Sequence, residues 1–523
     1  MDTYDYIVVG AGSAGCVVAS RLSEDADVRV LLLEAGARRG PDAIGVPAMW
    51  PTLLGGDADW GFETVGQHGL DGRTMAYARG KVLGGSSSIN AMCHLRGHRK
   101  SYDPWVAQGA VGWGFDDLLP YFRRSETAAA GDPAMRGMQG PMMPRANLAR
   151  HPAATSFVEA VAELGHPVSA DLNGADQEGV CWYERNIVDG VRQSAADAYL
   201  TPALGRPNLT VLADTFVTGL NIGEGRCGGV TYVHGGTALA EVAAEREVVL
   251  CAGAIGSPHL LQLSGIGQAD ELRRHGIRVA VDLPGVGANL SDHPLGALVY
   301  EAEKSVPPGM NNHCDAMAVL RSEAATDMPD THLLFVDIPW APPGHPVPAD
   351  AYSLAYSVLS PYSRGTVRLA SSEPGVTPLI DPAMLSDERD VEGMARAVEL
   401  ARAVGGAKAL KPWFRGEVLP GQHISSEEQV RSYLRNTVGP YWHAAGTCSM
   451  GRGEGSVTDV DLRVRGVDGL RVIDASVMPT LPSANTNATV LAIAERGAEL
   501  LLTDSRRNQL VSATDQGALE WRP

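Results

Sequence analysis

Cysteine is scarce in this chain: seven residues in 523, at 16, 93, 181, 227, 251, 314 and 448, with no C-x-x-C pair and an odd total. That usage excludes a zinc or iron–sulfur framework and matches a reducing compartment. Histidine occurs fourteen times but nowhere at H-E-x-x-H or similar ligand spacing, so no metal centre is expected. Basic residues are outnumbered 43 to 61, a formal net charge of −18, which disfavours nucleic acid and anionic membrane surfaces as partners. No basic n-region followed by an apolar run precedes Asp5, no uninterrupted apolar run of about 18 residues occurs, and no fixed-period repeat is visible. The expectation is a cytoplasmic protein with no membrane insertion. Nothing in these features bears on oligomeric state.

What is present is ordinary for a globular enzyme: 44% hydrophobic and 20% charged residues, in a chain long enough for two or three domains. The first thirty-six residues organise the rest. Asp5–Val9 is a short apolar, β-branched run, the pattern of a strand buried on both faces. It runs into Gly10-Ala11-Gly12-Ser13-Ala14-Gly15, a complete G-x-G-x-x-G. The first glycine permits the tight turn, the second lets backbone approach a pyrophosphate, and the third lets the next helix lie close to the strand. The amides opening that helix, which continues through Cys16, Val17, Val18 and Leu22, face phosphate. Val28–Leu33 supplies a second strand ending in Glu34, 24 residues after the first glycine, where a carboxylate accepts ribose hydroxyls and disfavours a 2′-phosphate. The ligand is an adenine dinucleotide other than NADP; these residues do not separate FAD from NAD.

Further along, Arg79–Asn90 pairs two glycines with three serines, suited to wrapping a phosphate chain or a ring system. Asn208–Ile222 reads as one strand with Val217 near its centre. Residues 247–258 repeat the theme of a buried strand meeting small residues, and a helix is expected from His259. From about Tyr300 to Gly421, Pro-rich loops around Pro339–Pro348 alternate with strand candidates at Ala355–Leu359 and Gly365–Leu369. One clear helix interrupts them, with Ser386 as N-cap and apolar positions 391, 394, 395 and 398. Ser425 to Glu428 forms a capping-box candidate for a helix that delivers Trp442-His443. A strand at Leu470–Ile473 precedes Asp474-Ala475-Ser476 and Asn485-Thr486-Asn487, and a strongly apolar helix spans 488–502.

Taken in order, Gly10–Gly15 with Glu34-Ala35-Gly36, Gly80–Asn90, Gly253–Pro258 through Gly267, Trp442-His443, and Asp474–Pro479 with Asn485–Asn487 resemble the glucose-methanol-choline (GMC) family of flavoprotein oxidoreductases over nearly the whole chain. The resemblance implies an α/β fold: a discontinuous Rossmann-like FAD-binding domain (1–150, 195–298 and 436–507) and an inserted α+β substrate-binding domain carrying an antiparallel sheet (151–194 and 299–435). A C-terminal tail, frayed, follows at 508–523. It implies FAD, and oxidation of an alcohol to the aldehyde by proton abstraction and hydride transfer to flavin N5, with reoxidation by O2 or another acceptor.

His443 matches the family's catalytic histidine, a side chain whose pKa suits taking a hydroxyl proton, and Asn485 its partner. The cofactor contacts implied are Gly10, Gly12, Ser13, Ala14, Gly15, Glu34, Ala35, Trp60, Val82, Gly84, Gly85, Ser86, Asn90, Ala91, Val217, Ala252, Gly253, Trp442, Asp474, Ala475, Asn485 and Thr486. Ile89 stands where some choline-oxidising members carry a histidine bonded to FAD, so a non-covalent flavin is expected. The helix after Asn487 would aim its positive end at the flavin pyrimidine. His94 is read as a pocket residue or a neighbour. Asp315, near an acid that holds cationic head groups in choline oxidases, is read as a solvated loop acid, so the default substrate is a neutral primary alcohol, aromatic, furanic or short aliphatic. The alternative on the same fold is a hydroxynitrile lyase with FAD as a structural passenger.

Overall fold

The computed structural model describes residues 3–519 except 147–148, 237–238, 310, 323, 325–326 and 343, with side chains through 505. Two sheets carry the molecule. In the first, β1 (Thr3–Val9) lies between β2 (Val30–Leu33) and β6 (Leu239–Leu250), with β3 (Leu209–Leu212) beyond β2; all three pairings are parallel. On the other side β6 continues antiparallel to β5 (Arg226–His234), and β5 to β4 (Thr215–Gly223). β12 (Leu470–Val472) joins β6 in parallel. Val30–Leu33 are wholly buried, and helices supply part of the cover over the parallel part. One is α1 (Ser13–Leu22), whose residues are nearly all buried, because α5 (Asn487–Leu519) packs over it. Arg21 and Glu495 tie the two helices together at 2.7 and 2.8 Å.

The second sheet is antiparallel throughout, in the order β11 (Phe414–Leu419), β7 (Pro294–Ala302), β10 (Ala351–Val358), β9 (Thr331–Val336), β8 (Met317–Leu320), then the short strand Gly179–Cys181. Its inner strands β9 and β10 are buried on both faces, and the period-2 alternation divides their side chains between two cores. Leu333 and Phe335, with Leu354 and Tyr356, join the core under α3 (Glu388–Gly405). Leu334, Val336 and Ala355 face the other way, into a cavity. The expected combination of a Rossmann-like layer and an antiparallel sheet is therefore the observed fold.

Several local expectations change. Asn208–Ile222 is two strands, β3 and β4, because the chain turns at Asp214 with φ +51°. The helix expected from His259 is α2 (Gly253–Leu263), starting six residues earlier with Pro258 inside it. Proline removes the donor that the Ala254 carbonyl would receive, and Thr447 Oγ1 supplies one at 2.7 Å. The N-cap of α3 is Asp387, which accepts from the Arg389 amide, and not Ser386. The capping box of α4 (Glu427–Thr437) is Ser426 with Gln429, one residue on from Ser425 and Glu428. The stretch read as a frayed tail from 508 continues α5 to Leu519, and 520–523 lie outside the described residues.

Candidate active site

A cavity of 550 Å³ runs from the glycine turn after β1 to the inner face of the second sheet. At the first end two glycine loops touch: a Cβ on Gly85 would stand 2.7 Å from Gly12 Cα, while one on Gly12 would meet nothing closer than 4.0 Å. No side chain caps the N-terminus of α1, so its first amides are open to an anion. Glu34 lines the cavity and accepts from the amides of Ala11 and Gly36, both at 2.8 Å. Burial raises its carboxyl to about 7. Asp474 is spent locally: it receives Ser257 Oγ at 2.5 Å and the Gly253 and Ser476 amides at 2.9 and 2.8 Å, fixing the start of α2.

Gly10, Gly12, Ser13, Ala14, Glu34, Ala35, Trp60, Gly85, Ser86, Asn90, Ala91, Val217, Ala252, Gly253, Trp442, His443, Asp474, Ala475, Asn485 and Thr486 all line this one cavity. Three expected contacts do not. Gly15 is required by packing, since a Cβ there would fall 1.8 Å from the Gly10 carbonyl oxygen. Gly84 turns the chain at φ +91° and donates its amide to Ala11. Val82 is buried with Leu53, Ala58 and Ile89. His94 proves a neighbour: it is buried outside the cavity lining, with Nε2 2.9 Å from Glu126. Asp315 also lies outside it, and is not the solvated loop acid expected: it is buried in an ion pair with Arg185 at 2.6 Å.

The chemistry sits where the sheets meet. His443 Nε2 is 3.1 Å from Asn485 Nδ2, and its Nδ1 is 2.8 Å from Nδ1 of His293. His293 Nε2 reaches the Leu359 carbonyl at 3.1 Å. A carbonyl only accepts, so His293 carries its proton on Nε2. Burial lowers its pKa to about 4, so it is neutral and its Nδ1 is an acceptor. His443 must then donate from Nδ1, leaving the lone pair of Nε2 toward Asn485 and the cavity. Burial first, then His293, Arg79 and His332, hold the pKa of His443 well below its ordinary value. Tyr441 stacks on the imidazole at 4.2 Å. The backbone amide of His443 donates to Asp292 Oδ1 at 2.7 Å, and Asp292, buried, is raised to about 6.

The sequence reading missed His293, Asp292, Arg79 and the aromatic wall. Asp292-His293-Pro294 is the signal that was available: adjacent acid and imidazole at a strand start. The wall facing His443 is Trp50, Trp340, Tyr441 and Trp442 with Leu295, Leu334 and Val336. Trp50 and Trp340 stack at 5.3 Å, and Trp340 meets Trp442 edge-on at 6.2 Å. Among the described residues the only acids lining the cavity are Glu34 and Asp474, at the glycine end.

The cavity fits a flavin dinucleotide by its unmet donors. Asn487, first residue of α5, accepts from Ser13 Oγ at 2.7 Å and leaves its buried Nδ2 without a partner, as does Trp442 with Nε1. Both line the cavity, and buried donors of this kind call for a ligand acceptor.

Two profiles described as GMC oxidoreductase match residues 4–295 and 361–494. Human mitochondrial choline dehydrogenase is 39% identical over 534 residues, covering 96% of this chain and 90% of that protein. Alcohol dehydrogenase [acceptor] of Pseudomonas putida is 35% identical over 527 residues, covering 95% and 96%. Among solved structures, pyridoxine 4-oxidase from Mesorbium loti superposes with a TM-score of 0.91 at 39% identity, covering 95% of this chain and 98% of that one.

Proposed function

Since the chain belongs to the GMC oxidoreductase family and is an FAD-dependent alcohol oxidoreductase, we propose that it oxidises a neutral primary alcohol, aromatic by preference, to the aldehyde. The observation that carries this is the fixed lone pair of His443 Nε2 beside Asn485, facing an aromatic wall that bears no carboxylate among the described residues. FAD, when bound, supplies the acceptor for the hydride leaving the carbinol carbon. It is held non-covalently, with Ile89 apolar and buried at the cavity edge, between Gly10–Gly12, Glu34, Gly85, Gly253 and the start of α5.

His443 does the proton chemistry. Its low proton affinity keeps Nε2 bare at neutral pH, ready for the substrate hydroxyl, and the Nδ1–H held by His293 steadies the imidazolium that forms. Asn485 Nδ2 donates to the substrate oxygen without adding charge. The aldehyde follows once proton and hydride have left; dioxygen or another acceptor closes the cycle. In this reading 1–150, 195–298 and 436–507 form the FAD domain and the inserted segments the substrate domain.

The substrate class rests on charge. Choline dehydrogenases are relatives, but Asp315 is neutralised by Arg185 outside the cavity lining, so a quaternary ammonium group would find only aromatic faces. Pyridoxine, which gives pyridoxine 4-oxidase its name, is a flat ring bearing hydroxymethyl groups, a shape such faces accept. The lyase alternative finds no support among these relatives. Anaerobic titration of the purified flavoprotein with benzyl alcohol, hydroxymethylfurfural, butanol and choline tests the proposal. Bleaching of the flavin by the aromatic alcohols at the lowest concentrations is expected; bleaching by choline alone would overturn it.

A further inference from the structure

The segment that presents His443 is not held by ordinary strand pairing. Residues 441 and 445 pair with 293 and 291: Tyr441 N donates to His293 O, and Ser291 and Ala445 exchange both backbone bonds, all at 3.0 Å. Between them the chain bulges, and Trp442 sits at φ +59°, a region a bulky side chain adopts only when its surroundings enforce it. Two side chains replace the missing backbone partners. Arg79 NH1 donates to the Trp442 carbonyl at 2.6 Å, and Asp292 Oδ1 accepts from the His443 amide at 2.7 Å.

These two groups are themselves fixed. Tyr77 OH donates to Asp292 Oδ2 at 2.7 Å, and the Arg79 guanidinium lies 5.2 Å over the Tyr77 ring. The Arg79 amide is anchored on Asp59 Oδ1 at 2.8 Å. Tyr77 and Asp292 are buried. The carbonyl and the amide of a single peptide are thus gripped by a cation and an anion, and rotation of that peptide would break both bonds at once.

We propose that Arg79 and Asp292 are positioning residues that lock the Trp442–His443 peptide and so set the direction of the His443 imidazole, with Tyr77 as the brace between them. The proposal rests on the reading of His443 as the base, and deepens it: the ring is aimed from its backbone by this clamp and fixed in tautomer by His293. Removing the clamp lets Trp442 relax toward negative φ and turns Nε2 away from Asn485. A displacement of about 1 Å at a base costs on the order of 100-fold in rate.

The test compares Asp292→Ala and Asp292→Asn holoenzymes with benzyl alcohol as the probe, alongside a crystal structure of the alanine variant. Expected for Asp292→Ala are a kcat per bound flavin lower by about 100-fold, KM within a few-fold of wild type, an unchanged flavin spectrum, and a rotated 442–443 peptide without the His443–His293 contact. Asn keeps an acceptor for the His443 amide and restores most of kcat. Should Asp292→Ala yield no folded holoenzyme, Arg79→Met is read by the same kinetic and crystallographic criteria. An unmoved peptide with unchanged kcat per flavin overturns the clamp, as does a loss of thermal stability that Asn does not rescue while kcat per flavin stays at the wild-type value. A wild-type enzyme inert to every alcohol, with the peptide rotated in the variant, would sink the alcohol reading and leave the clamp standing.

Discussion

At the glycine end of the cavity the wall is mostly backbone, whereas at the His443 end it is side chains. The first is made by loops in contact at Gly10, Gly12 and Gly85, with Gly15 packed behind them, where an added methyl would meet main-chain atoms or the ligand space. The second is made by Trp50, Trp340, Tyr441, Trp442 and Leu334, brought from three stretches far apart in the chain, at 50, 334–340 and 441–442. A backbone wall restricts which residue can stand at each point, and so recognises what all relatives share, the dinucleotide. A side-chain wall can be rebuilt one residue at a time, so it is where relatives sharing a fold can differ in substrate.

The sharpest way to break that contrast is Gly15→Ala. Its Cβ would lie 1.8 Å from the Gly10 carbonyl oxygen, so strand and helix must part; a loss of about 3 kcal/mol, the upper end for overpacking, is expected, with no flavin retained. Gly12→Ala, whose Cβ has open space, should instead fold with a near-normal melting temperature and hold less flavin. Thermal melts and the flavin-to-protein absorbance ratio read both; equal behaviour would show that the glycines are not divided between packing and ligand approach. At the other end, His443→Ala should leave flavin content intact and lower kcat by about 10²–10⁴-fold. A preparation that loses flavin as well would mean that the side-chain wall also holds the cofactor.

Arg185→Ala asks whether charge near the substrate end is structural or functional. It strands the buried Asp315 carboxylate, at ~3–5 kcal/mol, and urea unfolding should show that loss while KM for benzyl alcohol stays put. A rise in affinity for choline at little cost in stability would instead make Asp315 a latent cation site.

How much was legible follows the same division. Gly10–Gly15, Glu34 and Gly85 stood out because a tight turn and a dinucleotide site call for particular residue types at a fixed spacing, and Gly10, Gly12, Glu34 and Gly85 do line one cavity. Gly15 was read both as the glycine that lets the helix lie close to the strand and as a ligand contact; the packing is seen directly, and the residue lies outside the cavity lining. His443 and Asn485 were singled out through a resemblance over the whole chain, and their side chains meet at 3.1 Å. His293, Arg79 and Asp292 were not found: each acts on a residue about 150 or more positions away, 363 in the case of Arg79 and Trp442, and no local pattern marks such a pairing. Asn208–Ile222 misled because β3 and β4 are both apolar, and only Asp214 at positive φ separates them.

The smallest expected effect tests how dry the His443 end is. His332 is buried, lies 5.9 Å from Tyr441 in a stacked arrangement, has no partner for Nε2, and burial lowers its pKa to about 3 from an ordinary 6.5. Between those values the unfolded chain binds a proton that the folded chain refuses, so stability falls as pH drops through that window, by up to ~1.4 kcal/mol per pH unit. Asp292 and Glu34, raised to about 6 and about 7, act in the opposite sense, since their folded forms keep protons that the unfolded chain releases. His332→Phe keeps the ring against Tyr441 and removes only the titrating group, so the terms from Asp292, Glu34 and the other buried histidines cancel in the comparison. Unfolding free energies at pH 6.5 and pH 5 should therefore differ less for the phenylalanine variant than for wild type. Parallel pH dependences would mean that water reaches this wall of the cavity, and that the proton affinity of His443, buried against the same tyrosine, is closer to that of a free imidazole.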